Sequence, residues 1–380
     1  MSGWHCPGGW FWPALAASAV AVTLIGAAAP AAARTCVVPG SSGNDPAAVS
    51  LMDLTAKASR SGGYAGTVSV EIHGQGGTRS AELRVVHAGA GHLVIEAPNP
   101  PGPATGSLLV QEGRSRSVVR VGEGWVNRGQ TALANDVEPD SNLQQLLGKY
   151  RVLLEGGVRL LQRDARVVRI TRIADDRLVE RWTIEATTGL LLRRESYDAA
   201  GMVERSITFT EVREPYVPTV EDLHPPTQAR PSSGAAPQRW FSASELSRQA
   251  KALGMPATLP AGYRLESGTT FKAGAASVVQ FVYSDGLEDV SLFAQPGSMT
   301  RSGLPASARN VRLSRVDGLR WEGFPRGVAW QDGQSTLTLV GAAPTDELTQ
   351  MANALPQAPL RRSLRQRMGH LVDWMKHRLP

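Results

Sequence analysis

The stretch YAGTVSVEI, residues 64–72, alternates apolar or small residues at Tyr64, Gly66, Val68, Val70 and Ile72 with polar Thr67, Ser69 and Glu71. A period of two marks a strand with one face buried and the other in water. Such alternation belongs to antiparallel sheets, because parallel strands are covered on both faces and read as unbroken apolar runs. The segment just before it has another period. In PAAVSLMDLTAKASR, residues 46–60, Val49, Leu51, Met52, Leu54 and Ala58 fall at helical spacing, and Ser61-Gly62-Gly63 ends the helix.

Downstream the alternation persists. RSAELRVVH directs Ala81, Leu83 and Val85 inward, AGAG turns the chain, and HLVIEA directs Leu93, Ile95 and Ala97 inward. Short strands follow at SLLVQE, SVVRV and GWVN, then a helix at SNLQQLLGKY, then strands at ARVVRITR, RLVERWTIEA, LLLRRESY and ERSITFTEVRE. Val68, Val70, Ile72, Leu83, Val85, Leu93 and Ile95 thus share one apolar face, which helices, a second sheet or an apolar ligand must cover.

PYVPTVEDLHPPTQARPSSGAAP, inside 215–238, holds six prolines without apolar period and reads as an extended linker. A second domain, 239–357, opens with a helix signalled by Ser242 and by Glu245 three residues on, a capping-box pattern. Strands near GYRLESGTTF, SVVQFVYS, LEDVSLFAQ, VRLSRVDGLRWEGF, GVAWQDG and STLTLVG lead to a closing helix at PTDELTQMANAL. Within it, YSDGLEDVSLFAQ, residues 283–295, reads as a hairpin joined at Asp285-Gly286. Its Ser284, Asp285, Glu288 and Asp289 have no histidine within fifty residues and lack calcium-loop spacing, so the corner is a turn and neither a triad nor a metal loop.

Other chemistry is equally unsupported. His73, His87 and His92 fall in the first sheet, but His87 and His92 lie on opposite strand parities and no third ligand joins them. No G-x-S-x-G, H-E-x-x-H, C-x-x-C or complete phosphate-binding loop occurs, so no catalytic residue, metal or cofactor is assigned. The twelve arginines from Arg151 to Arg213 are interleaved with ten acids, the pattern of a mixed solvated face.

Residues 1–33 contain no Lys, Arg, Asp or Glu, and WFWPALAASAVAVTLIGAAAP runs into AAPAAA before Arg34. Two readings fit: a secretory signal cleaved near Ala33, or an anchor spanning Trp10 to Ala32. Both put the remaining chain outside the cytoplasm. Cys36 is then a lone thiol, separated from the small-residue site by Arg34 and Thr35. The formal net charge is +6, but residues 360–380 carry six basic residues against Asp373, a net of +5. Basicity therefore belongs to the tail, which argues against nucleic acid. In that tail, 358–380, Leu364, Met368, Leu371 and Met375 form an apolar stripe, with Arg365 and Trp374 beside it. It suits an interfacial helix on an anionic membrane, or a helix docked on its own protein.

This order of elements resembles the MucB/RseB family, extracytoplasmic regulators of anti-sigma factors. The resemblance covers residues 46–214 and 239–355, and its most telling pieces are Leu190 to Val212 and Tyr283 to Leu287. It implies an α+β fold: a lipoprotein-carrier-like first domain, 34–214, with a curved antiparallel half-barrel sheet covered by helices, and a smaller α+β domain that helps contact the anti-sigma factor. It further implies a non-enzymatic protein with a lipid-type ligand on the concave face of Val68 to Ile95, and a partner surface at Tyr283, Asp285 and Leu287. A lipid or lipoprotein carrier of the cell envelope is the alternative.

Overall fold

The computed structural model describes residues 43–74, 77–89, 92–96, 107–112, 115–120, 125–128, 143–219, 222, 239–273, 276–301, 304–323 and 325–358. They group into two units. One takes the described residues up to 222 together with Asp285–Leu287, and the other takes the rest of 239–358. Each is an antiparallel sheet with a few helices, so the fold is α+β. Among the described residues no helix is long and apolar enough to cross a membrane.

The first sheet is an unclosed half-barrel in two meanders. One runs through β1 (Tyr64–Gly74), β2 (Gly77–His87), β3 (His92–Glu96), β4 (Ser107–Glu112), β5 (Ser115–Arg120) and β6 (Trp125–Arg128). The other runs through β7 (Tyr150–Leu160), β8 (Arg163–Arg172), β9 (Leu178–Glu185), β10 (Leu191–Tyr197) and β11 (Val203–Arg213). They join where β1 pairs with β11, so the alternating strand lies at the seam. There Val68 stands opposite both Leu83 and Phe209, and Val70 opposite Ile207. A side chain at Gly66 would come within 2.2 Å of the Glu211 carbonyl oxygen, which is why this apolar position carries none.

Helix α1 (Pro46–Ser61) follows its expected bounds to within a residue. The Asp45 carboxylate accepts from the Ala47 amide, and Pro46 supplies a first-turn residue with no amide to satisfy. Ala48, Leu51, Met52, Thr55 and Ala56 form its buried stripe. Three bonds fasten its start to β7: the Asp45 amide donates to the Val152 carbonyl at 2.9 Å, the Asn44 side-chain oxygen accepts from the Val152 amide at 2.9 Å, and Asp45 Oδ2 accepts from the Leu154 amide at 3.4 Å. Beside α2 (Leu143–Lys149), the helix covers Val152, Val168, Ile170, Trp182 and Ile184.

Residues 215–219 and Asp222, expected as linker, are bound into the first unit. The Tyr216 amide donates to the Gly63 carbonyl at 2.9 Å. Asp222 accepts from the Tyr216 hydroxyl at 2.7 Å, the Thr219 amide at 2.9 Å and Arg84 at 2.5 Å. These donors, the Thr219 amide first, hold the Asp222 carboxyl far below its ordinary range.

The second sheet is built from β12 (Arg239–Trp240), β13 (Arg264–Ala273), β14 (Ala276–Ser284), β15 (Asp289–Pro296), β16 (Arg309–Arg312), β17 (Asp317–Trp321), β18 (Arg326–Asp332) and β19 (Ser335–Gly341). In space the order is β12-β13-β14-β15-β19-β18-β17-β16. Helix α3 (Ala243–Ala252) opens with the capping box expected at Ser242 and Glu245. Helix α4 (Thr345–Ala354) buries Leu348 and Met351 in a core with Phe281, Leu292, Val328, Leu337 and Leu339. The β14–β15 connection departs from the expected two-residue turn. Ser284 pairs with Asp289, so four residues, Asp285 to Glu288, join the strands. Asp285 Oδ1 accepts from the Leu287 amide at 3.0 Å and closes the loop through its side chain.

Candidate functional site

The seven residues expected on the concave face do share one face. Val68, Val70, Leu83, Val85, Leu93 and Ile95 are buried in a single cluster with Tyr64, Ile207 and Phe209, and Ile72 packs against it partly buried. The register explains this: two-residue periodicity in β1, β2 and β3 lines up Val68 with Leu83 and Val85 with Ile95. His87 lies buried at the same end, its ring 5.0 Å from that of Tyr64. His73 is elsewhere, bonded to the Thr78 hydroxyl at 2.9 Å.

The sheet also carries a buried ionic network that charge counting misses. Glu180 is 1% exposed and Arg194 4% exposed. The Glu180 carboxylate accepts from Trp182 Nε1 at 2.5 Å, Arg194 Nε at 2.9 Å, Arg194 Nη2 at 2.8 Å and Ser196 Oγ at 3.0 Å. Arg205, also buried, donates to Ser196 Oγ at 3.4 Å. The arginines of 151–213 are therefore not one solvated face. A buried carboxylate needs several donors to offset its lost hydration, and this one has four. Its lone pairs are spent on fixed donors, so it orders the sheet. Strand parity is the signal that finds it: in β9, Glu180 shares the parity of the inward Trp182 and Ile184.

Of the expected partner surface, Tyr283 is buried in the second core, its hydroxyl donating to the Pro256 carbonyl at 2.9 Å. Burial pushes its phenol above the ordinary tyrosine range. Asp285 is 1% exposed. Within the first unit it accepts from Lys149 Nζ at 2.5 Å and the Tyr150 hydroxyl at 2.6 Å. Leu287 packs on the α1 cluster, and its carbonyl accepts from Arg194 at 3.3 Å. Tyr283 and Asp285 thus offer no solvent-facing surface, because their polar groups are used internally. The leader 1–33, Cys36 and the tail residues Leu364, Arg365, Met368, Leu371, Trp374 and Met375 lie outside the described residues.

Known proteins add one sequence match and several distant structures. No curated protein matches the chain. The solved complex of Pseudomonas aeruginosa MucA/MucB is 19% identical, with 83% of this chain and 99% of that chain covered and a TM-score of 0.47. LprF from Mycobacterium bovis is 14% identical over 47% of this chain and 98% of its own, with a TM-score of 0.30. A LolA superfamily protein from Nitrosomonas europaea is 11% identical over 45% of this chain and 94% of its own, with a TM-score of 0.25. The family model for the MucB/RseB N-terminal domain matches residues 105–227, a range that takes in β7 to β11 and the Asp222 knot. Over that range the chain is similar to the MucB/RseB N-terminal domain, the family that its sequence resembles.

Proposed function

We propose that this chain is an exported, non-enzymatic regulator that binds the extracytoplasmic part of an anti-sigma factor and responds to a lipid-type ligand. The observation that carries the reading is the MucB/RseB N-terminal domain match over 105–227. The apolar face around Val68, Val85 and Leu93 is where an acyl chain would be held, and the buried state of these residues means that a ligand enters by displacing their present neighbours. Export rests on the apolar leader. The basic tail, with Leu364, Arg365, Met368, Leu371, Trp374 and Met375, is the segment suited to the membrane surface.

The test is calorimetric titration of the full mature chain with the extracytoplasmic segment of the single-span anti-sigma factor from the same organism. Saturable binding is expected; no heat at low salt and micromolar protein overturns the reading. The apolar cluster favours one rival, a lipid or lipoprotein carrier. Mass spectrometry of the purified chain separates the two, since a stoichiometric co-purified lipid together with no anti-sigma binding belongs to a carrier alone.

A further inference from the structure

The whole-chain charge sum hides a local concentration in the second unit. Between residues 301 and 326 stand six arginines, Arg301, Arg309, Arg312, Arg315, Arg320 and Arg326, against Asp317 and Glu322, a net of +4. Strand register puts Arg309 directly opposite Arg320. Like charges facing each other across a strand pair cost stability, so stability does not account for this arrangement.

Internal acids compensate little. Arg312 pairs with Asp317 at 2.8 Å, but the two side chains are 72% and 76% exposed. Arg320 reaches Asp346 at 3.6 Å, and that carboxylate is 89% exposed. Solvent-exposed pairs of this kind contribute little and leave the cations available. Arg309 and Arg315 have no acidic partner among the described residues.

The backbone beneath is an end strand. β16 closes the sheet, pairs on one side with β17 without a register shift, and has no strand on its other side among the described residues. Its exit is fixed: the Ser314 amide donates to Asn353 Oδ1 at 2.7 Å, and the Arg315 amide to Gln357 Oε1 at 2.8 Å. A regular, anchored end strand is a template for strand addition. Its positive charge repels a second copy of itself and admits a partner of opposite charge. A lipid surface would use the charge but not the row of main-chain donors and acceptors.

We propose that β16 is a docking edge that adds an acid-rich extended segment of another protein as a further strand, with its carboxylates set against Arg309, Arg315 and Arg320. This goes beyond the anti-sigma reading and does not rest on it.

The experiment titrates the full mature chain into a short fluorescent peptide of alternating Glu and Thr, with a Lys and Thr peptide and phosphatidylglycerol vesicles as the other arms. The Glu peptide is expected to bind, more weakly as salt rises, and the Lys peptide not to bind. Arg309→Glu with Arg315→Glu is expected to weaken the Glu peptide by about tenfold or more. The same change relieves the Arg309 and Arg320 opposition, so the variant's melting temperature should hold or rise, which separates lost binding from lost folding. Equal affinity in the variant, or binding of the vesicles alone, overturns the proposal.

Discussion

On the first sheet Glu180 and Arg194 sit 1% and 4% exposed amid apolar neighbours, while the second sheet places Tyr263, Tyr283 and Trp330 in its core. Tyr283 and Trp330 each turn one neutral donor onto a main-chain carbonyl, of Pro256 at 2.9 Å and Pro356 at 2.8 Å. A buried ion pair is held by mutual attraction that must offset two desolvation costs, so losing one partner exposes the whole penalty of the other. A neutral donor on a carbonyl risks far less. The first sheet is therefore specified by a few groups that fail together, and the second by many that fail singly.

The sharpest way to break that contrast is Arg194→Ala, which strands the Glu180 carboxylate beside Trp182. A loss of about 3–5 kcal/mol is expected from urea unfolding of the full chain. Replacing both partners, Glu180→Leu with Arg194→Met, should recover most of it, because no charge is then left unpaired. An unchanged midpoint for Arg194→Ala would mean that the network is not what holds this sheet. In the second unit, Tyr283→Phe removes a single hydrogen bond and keeps the ring, so about 1 kcal/mol is expected by the same measurement. A loss as large as that of Arg194→Ala would erase the distinction between the two cores.

What was legible in the sequence follows the same physical divide. Period-two alternation made β1 readable because its inward side chains are apolar, and the Ser242 and Glu245 spacing made α3 readable because capping is local chemistry. β7 was not legible: Gly156-Gly157 breaks its pattern, and Gly156 has φ of 151°, a backbone state that marks a bulge and leaves no inward residue to count. The buried ion pair escaped because a charge count over 151–213 ignores parity, and parity alone places Glu180 and Arg194 inside. Charge summed over the whole chain likewise concealed the arginines of 301–326. The burial of Tyr283 and Asp285 was not legible either, because a turn motif says how the chain reverses, not what its side chains meet.

The smallest expected effect concerns pH. At the end of the first sheet Arg163 Nη1 bonds both Glu185, at 2.8 Å, and Glu214, at 3.0 Å, and the Thr188 hydroxyl lies 2.5 Å and 3.2 Å from the same two carboxylates. One cation between two acids leaves a net negative charge under partial cover. Burial first, and the neighbouring Glu185 second, raise the Glu214 pKa above its ordinary 4.5. A raised folded value means that the folded chain holds this proton more tightly than the unfolded one. Its contribution is thus complete below pH 4.5 and is lost as pH rises through the folded value. In the second unit Glu245 runs the other way: the Ser242 amide and then Arg239 lower its pKa, so its contribution is lost only as pH falls below the ordinary glutamate range. Asp175 and Asp222 in the first unit are also lowered, which confines their losses to more acid conditions. Between pH 4.5 and neutrality Glu214 therefore acts without them. Glu214→Gln should raise the melting temperature by about 2 °C at neutral pH and flatten its decline from pH 4.5 upward. Calorimetric scans across that window decide it, because a decline that survives the substitution would place the titrating group elsewhere than at the shared Arg163.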